Sequence, residues 1–400
     1  FSTRISWGTL SKALLKSRYT TSTNSTRFVW QDLFLRKPCC VAVSLPSLST
    51  SPSKNVIFSP ICISSAMALL VMGTNSDSRT QILDTLGFNM TDIQEKEIHD
   101  GFHNLFALLT HPDNLFHLDI GEALFVKESL QLLQKFLDDV HAYYDTEILT
   151  SNFQEPAEAE KQINSYVEKK TQGKITNLVK GLSPETALVL VNYIIFGGAW
   201  KKPFDSKFTT EKDFILADGT KVKVPMMAGS GWFHYLFDEE LSCTVLQLDY
   251  NGSAIAYFVL PDAGKMEQLE KALSMDILVK WAQRIQRKTA QVFLPKFNIS
   301  SSYELKEILS KMGITDIFTD RADLSGITGQ PLKVTKISHR AVVTVDESGT
   351  EAAAAGAIEM IPMSIPPTLS FHHEFLFLIM HPDTRSLLFI GKMVNPENEA

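Results

Sequence analysis

Long apolar runs and cysteine are both scarce in this chain of 400 residues. No stretch of 18 apolar residues occurs, so we expect no transmembrane helix. The four cysteines are Cys39, Cys40, Cys62 and Cys243. Their spacing forms neither a Cys-x-x-Cys motif nor a disulfide framework, and the cysteine count therefore assigns no redox compartment.

The sequence also lacks the short motifs that mark common enzymes. It contains no Gly-x-Ser-x-Gly elbow, His-Glu-x-x-His pair, phosphate-binding loop or Gly-x-Gly-x-x-Gly fingerprint. His372 and His373 are followed by Glu374, but no third metal ligand lies at a suitable spacing. We therefore expect neither an enzyme nor a bound metal or cofactor.

An excess of positive charge is missing too. The chain has 38 Lys and Arg residues against 45 Asp and Glu residues, which gives a net charge of -7. A mildly acidic protein has no general attraction for nucleic acid or for anionic membranes. The segment 101–118 carries no basic cluster, and we therefore expect no activator of the heparin type.

Four glycosylation sequons are present. Their acceptor residues are Asn24, Asn89, Asn251 and Asn298, each followed two residues later by Ser or Thr with no intervening proline. Of these, Asn89 and Asn251 stand beside predicted turns and are the better candidates. The sequons favour a secreted, extracellular glycoprotein.

Periodic patterns indicate a mixture of helices and strands. Apolar residues recur at helical spacing in 97–111 and 129–144. The segment 185–200 contains a long apolar run between polar residues and predicts a strand that is buried on both faces. Another strand is predicted over 290–299. The fold class is therefore α+β.

The most informative segment runs from Gly349 to Pro367 and is rich in small residues. In an extended chain, alternate side chains face opposite sides. The side chains at even positions carry no charge, whereas those at odd positions include Glu351 and Glu359. A central strand with one face toward the core and one face toward solvent requires this division. Ala and Gly have low strand propensity, however. From the residues alone, this segment is either a strand that is not yet part of a sheet, or an Ala-rich helix or flexible loop.

The flanks of this segment, together with seven others, resemble the signature segments of the serpin family in serpin order. The matching segments are 55–73, 190–204, 224–227, 256–270, 294–300, 312–327, 338–352 and 375–396. The resemblance covers about residues 40–400. It implies a serpin fold, with about nine helices around three β-sheets and an exposed reactive loop near the C-terminus.

The first 38 residues match no serpin segment. They carry seven Lys or Arg residues against one Asp, and they are rich in Ser and Thr. We interpret 1–38 as a disordered tail, a mitochondrial-type presequence or an artefact of gene prediction, and 39–400 as one serpin domain. Pro46 interrupts the run in which the family places its first helix, so this helix is expected to be short or defective.

The resemblance implies a serine protease inhibitor that acts as a suicide substrate. The scissile bond would be Met363–Ser364, and an unbranched apolar Met363 suits an elastase-like or chymotrypsin-like protease. After cleavage the loop would insert into the main sheet as a new central strand. The hinge where insertion begins comprises Glu347, Gly349, Thr350, Glu351, Ala352, Ala353, Ala354 and Ala355.

The resemblance also assigns two supporting sites. Lys296 should form a salt bridge with Glu347 that steadies the hinge. A hydrogen-bonded shutter beneath the main sheet should comprise Ser59, Asn192 and His339, with Cys62 where the family usually has a second serine. Because a thiol is a weaker hydrogen-bonding group than a hydroxyl, the shutter of this chain is expected to differ in strength.

Two alternatives to inhibition remain open. Some segments resemble serpins that carry a small apolar hormone and inhibit nothing, although the loop here keeps the inhibitory pattern. A third interpretation is a serpin fold without activity, because residues 1–45 fail to complete the first helix. For the inhibitor, we expect a monomer whose partner is a serine protease.

Overall fold

The structure, a computed structural model, describes residues 54–349 and 366–397. Eight α-helices lie within these ranges, and none of them is long and apolar enough to cross a membrane. They are α1 (Pro60–Val71), α2 (Ser76–Leu86), α3 (Glu95–Leu109), α4 (Gln134–Tyr144), α5 (Pro156–Lys170), α6 (Met266–Ala272), α7 (Met275–Arg284) and α8 (Lys306–Lys311).

Five strands form the sheet that holds the candidate site. Their spatial order is β10-β11-β4-β2-β3. The bounds are β2 (Phe116–Lys127), β3 (Glu147–Ser151), β4 (Leu188–Gly198), β10 (Phe297–Glu304) and β11 (Lys336–Val345). The central pair, β11 and β4, is parallel, whereas β10 and β2 flank it in antiparallel orientation. All eleven residues of β4 are buried, as the apolar run predicts.

Nine strands form the second sheet, around the long strand β6. Its members are β1 (Val56–Phe58), β5 (Thr210–Ile215), β6 (Lys221–Asp238), β7 (Cys243–Asp249), β8 (Ile255–Pro261), β9 (Gln286–Pro295), β12 (Thr368–Ser370), β13 (Phe375–His381) and β14 (Ser386–Met393). The first part of β6 pairs with β5 and β9, and its last part pairs with β7. The described strands therefore form two hydrogen-bonded sheets, where the resemblance implies three. The larger sheet is continuous because the same strand, β6, pairs with β5 and β9 along its first part and with β7 along its last part.

One predicted strand is in fact two. The segment 290–299 contains the end of β9 and the start of β10, and these strands belong to different sheets. Lys296 lies between them, after Pro295, and its backbone N–H donates to the carbonyl of Pro225 at 2.9 Å. The buried positions change from even numbers in β9 to odd numbers in β10, and this change of phase was the signal that could have revealed the break.

Helices cover both faces of the five-stranded sheet. On one face lies α1, whose twelve residues are all buried. It begins at Pro60, after the Ser59 hydroxyl caps it by accepting the N–H of Cys62 at 3.3 Å. On the other face, apolar residues of α5, such as Ile163, pack with Val191 of β4. The sheet is thus enclosed, and any polar side chain that points toward α1 must find its partners inside the protein.

Candidate functional site

The chain leaves the five-stranded sheet at the end of β11, and Glu347 is clamped there from two sides. Lys296 Nζ lies 2.7 Å from Glu347 Oε2, and the Thr209 hydroxyl donates to Oε1 at 2.7 Å. Partial burial of Glu347 by itself raises the pKa of its carboxyl group. The hydrogen bonds from Lys296 and Thr209 outweigh this effect and hold the pKa below its ordinary value. The carboxylate is therefore charged at neutral pH and fixes the hinge.

Backbone contacts fasten the same segment to the residues after β4. The Trp200 backbone N–H donates to the carbonyl of Ser348 at 2.8 Å, and its indole N–H donates to the carbonyl of Asp346 at 3.0 Å. The indole is buried and stacks on Tyr250, with the ring centroids 4.2 Å apart. The chain that follows β11 thus crosses over the end of β4.

Gly349 occupies a position that no other residue fits. Its φ angle is +133°, and a Cβ atom added there would lie 2.2 Å from the carbonyl oxygen of Gly198. The carboxylate of Asp346 accepts the backbone N–H groups of Ser348 and Gly349, which forms a tight turn. The turn places Gly349 beside Ala199, with which it forms an isolated antiparallel bridge.

The pairing of β4 with β11 stops just below this turn. Their parallel register begins at Val189 and Lys336 and ends at Phe196 and Val343. Among the described strands, Val345 pairs with β10 alone. The last two residues of β4 and of β11 are therefore not paired with each other, but just above them Ala199 and Gly349 form an antiparallel bridge.

The residues predicted to form the reactive bond, and most of the predicted hinge, lie outside the described residues. These are the hinge positions Thr350, Glu351, Ala352, Ala353, Ala354 and Ala355 and the bond Met363–Ser364. The chain is described again from Pro366, where the carbonyl of Pro367 accepts the N–H of Gln291 at 2.9 Å and β12 then pairs with β9. Both flanks of the loop are thus anchored to different sheets.

Four predicted shutter residues meet beneath the middle of the β4–β11 pair. The backbone N–H of Ser59 donates to His339 Nε2 at 3.0 Å, so Nε2 is an acceptor and the proton of the ring is on Nδ1. Nδ1 lies 2.6 Å from Asn192 Oδ1 and donates to it. Burial lowers the pKa of His339 to about 3, so the ring is neutral. Cys62 joins through its backbone, since its carbonyl accepts from Asn192 Nδ2 at 3.2 Å.

Glu122 of β2 also belongs to this cluster, and the sequence analysis missed it. Its Oε1 accepts a hydrogen bond from Asn192 Nδ2 at 2.9 Å, and burial raises the pKa of its carboxyl group to about 7. The side chain of Glu122 faces the same side of β2 as those of Leu118 and Leu124, which belong to the core on the α1 side. The sequence signal that could have revealed it was a single glutamate among the apolar side chains that face the same side of β2.

The remaining predicted residues are distributed over the surface. Asn89, Asn251 and Asn298 are exposed, and Asn24 lies outside the described residues. Asn89 Oδ1 accepts both the backbone N–H and the hydroxyl of Thr91, whereas Asn298 in β10 accepts the hydroxyl of Thr344. The described part of the chain contains no group of three His, Cys, Asp or Glu side chains that could hold a metal, and the rings of His372 and His373 meet edge to face, with their centroids 5.0 Å apart.

We predict that Asn192→Ala destabilises the uncut protein by about 1–3 kcal/mol, because the buried His339 N–H and the Glu122 carboxyl lose their shared partner. Thermal unfolding of both proteins measures the change. Asn298→Ala is the control, since it removes a hydrogen bond to the same sheet at an exposed position. An equal and small effect of the two substitutions contradicts the central role of Asn192.

Comparisons with known proteins agree with this geometry. The family model for serpins (serine protease inhibitors) matches residues 43–396. Alpha-1-antiproteinase S of Cavia porcellus is 48% identical over 347 residues, which cover 86% of this chain and 86% of that protein. Alpha-1-antitrypsin 1-1 of Mus musculus is 46% identical over 351 residues, which cover 87% and 85%.

Solved structures lead to the same family. Human thyroxine-binding globulin complexed with thyroxine superimposes with a TM-score of 0.85 and 39% identity, covering 92% of this chain and 99% of that one. Human glycosylated kallistatin superimposes with a TM-score of 0.84 and 40% identity, with the same coverage. The serpin fold expected from the sequence is confirmed. This chain belongs to the serpin family.

Proposed function

We propose that this chain inhibits an elastase-like or chymotrypsin-like serine protease by acting as a suicide substrate. The family and its antiproteinase relatives support protease inhibition. The observation that carries the mechanism is that the last two residues of β4 and of β11 are not paired with each other, directly below the bridge between Ala199 and Gly349. A loop that begins at Gly349 can pair first at this gap, once the bridge opens.

The reaction begins at the bait bond. The serine oxygen of the protease attacks the carbonyl carbon of Met363, the bond to Ser364 breaks, and the new amino group of Ser364 takes up the proton. The products are an acyl-enzyme at Met363 and a free segment that starts with Ser364. The bound protease is then tethered to residues 350–363.

Insertion of the tether separates the protease from its starting position. Residues 350–363 would run between β4 and β11, with the uncharged alternation facing the core. Fourteen residues at about 3.3 Å each give a displacement of roughly 45 Å. A protease displaced this far is pulled against the inhibitor before its acyl bond is hydrolysed.

The contacts at the hinge support a sheet that is closed until cleavage. The Lys296–Glu347 ion pair and the Trp200 hydrogen bonds hold the chain after β11. They lie at the end of the sheet where insertion starts, and the shutter lies further along the same strands. In this proposal the loop pairs first near Gly349 and reaches the shutter afterwards.

The bait residue supports the choice of target. Met363 is apolar and unbranched, which fits a hydrophobic primary pocket and lacks the cation that a trypsin-like pocket requires. The exposed sequons at Asn89 and Asn251 support secretion as a glycoprotein into the extracellular space, where such proteases act.

A hormone carrier is the second candidate. Its support is the structural likeness to human thyroxine-binding globulin, a structure that contains thyroxine. A carrier would be cleaved at Met363 without trapping the protease.

Mixing the protein with neutrophil elastase should give a covalent complex that survives SDS, together with a released fragment of residues 364–400. Acylation at Met363 followed by insertion predicts both species on one denaturing gel. Met363→Arg should transfer complex formation from elastase to trypsin, because the side chain then carries the cation for the trypsin pocket. Cleavage without a complex, for both proteins and both proteases, would favour the carrier.

Thr350→Arg should convert the inhibitor into a substrate. Thr350 follows Gly349 and would be the first side chain to enter the core, where an unpaired charge is strongly unfavourable. The ratio of cleaved product to complex on the same gel should therefore rise, while the rate of cleavage at Met363 stays the same. Thr350→Ser is the matched control and should keep the original ratio. Equal ratios for the two variants contradict the hinge assignment.

A further inference from the structure

Glu122 is placed where an ionisable side chain affects the separation of β4 and β11. In the antiparallel pair of β2 and β4 it lies directly opposite Asn192, and on the other side of β4 Asn192 lies opposite His339. The three polar side chains thus form one row across three strands. The row runs perpendicular to the direction in which a new strand would insert.

Asn192 is the centre of this row, and all its amide hydrogens are used. Its Nδ2 donates to the Cys62 carbonyl and to Glu122 Oε1, and its Oδ1 accepts from His339. A strand that inserts between β4 and β11 must break the contact with His339. The contact with Glu122 lies on the other side of β4 and can persist, so Glu122 holds the amide of Asn192 during separation.

Burial makes the neutral form of the Glu122 carboxyl group the favoured one, against the opposing effect of its hydrogen-bonding neighbours. Its Oε2 is buried and makes no hydrogen bond to another described residue, and neither does the buried hydroxyl of Ser65 on α1. Ser65 approaches closely enough to lower the pKa of the carboxyl group, although burial has the larger, opposite effect. A neutral carboxyl can donate a proton toward this hydroxyl, whereas an ionised one leaves a negative charge in the core.

We propose that Glu122 is a further positioning residue for strand insertion. Its carboxyl group orients the Asn192 amide, and its ionisation loosens the contact between β4 and β11. The proposal rests on the proposed insertion of the loop, but it concerns the uncut protein.

No other group in the cluster titrates in the same range. Burial holds the pKa of His339 at about 3 and that of Tyr303, which stacks on it from β10, at about 12. Cys62 contributes a buried thiol from α1, and no charged side chain is among the causes of the shift at Glu122. On β2 itself, His117 and Asp119 have the opposite alternation and point to the other face.

The sign of the pH dependence follows from the direction of the shift. The folded protein raises the pKa of Glu122 from 4.5 to about 7, so it binds the proton more tightly than the unfolded chain does. The contribution of this group to stability is therefore fully present below about pH 4.5. It is lost progressively as the pH rises to about 7.

Thermal unfolding of the uncut protein between pH 5 and pH 8 tests the proposal. Glu122→Gln keeps the size and the acceptor oxygen but cannot ionise, so its melting temperature should exceed that of the parent by an amount that grows toward pH 8. Glu128→Gln removes an exposed carboxylate just after the same strand and should follow the parent. Parallel curves for the parent and Glu122→Gln overturn the proposal.

A second variant keeps the test decisive if Glu122→Gln folds poorly. Ser65→Ala removes the hydroxyl that lowers the pKa of Glu122, so the loss of stability should begin at the same pH as in the parent but continue to a higher pH and become larger. An unchanged profile overturns the proposal.

Strand separation can be measured directly with a synthetic peptide of residues 350–361. The peptide should insert between β4 and β11 faster at pH 8 than at pH 6 in the parent, and at equal rates in Glu122→Gln. A pH dependence that Glu122→Gln retains overturns the proposal. If the peptide inserts into neither protein at either pH, the result counts against the proposed function. The melting curves then test the role of Glu122 independently. None of these measurements needs a protease.

Discussion

The parallel contact between β4 and β11 is the constraint on which the rest of this structure depends. Eight residue pairs join the two strands, from Val189 and Lys336 to Phe196 and Val343. Above them the pairing ends, and Glu347 is held by Lys296 and Thr209. Below, His339 and Asn192 join the strands through side chains. The proposed mechanism requires that this contact stays closed in the native state and opens after cleavage.

A buried polar network suits that requirement better than an apolar one. Apolar side chains at the same positions would pack without directional preference, and the strands would gain the same burial in several arrangements. Hydrogen bonds between Ser59, His339 and Asn192 are satisfied in one arrangement and lost when the strands part. Separation of β4 and β11 therefore costs the free energy of these particular hydrogen bonds. Glu122 adds a group whose charge alters that energy with pH.

Much of the fold could be predicted from the sequence, because its signals are local. The apolar run within 185–200 indicated a strand buried on both faces, and the helical spacing in 97–111 and 129–144 indicated α3 and α4. The break at Lys296 was not predicted, although the buried positions change there from even numbers in β9 to odd numbers in β10, and the two strands enter different sheets. The pairing of Lys296 with Glu347, and the meeting of Ser59, Asn192 and His339, came from the family resemblance. They are contacts between residues far apart in sequence, and no local pattern encodes them. The family resemblance did not point to Glu122. Its role follows from its position opposite Asn192.

In the proposed mechanism, the uncut protein stores free energy that strand insertion releases. Thermal unfolding before and after a single cut in the loop, made with a protease that is not trapped, tests this most directly. If residues 350–363 become a central strand, they add a full set of backbone hydrogen bonds and bury new apolar area. The account predicts a melting temperature that is higher by tens of degrees in the cut protein. A cut protein that melts at or below the temperature of the uncut form contradicts the account.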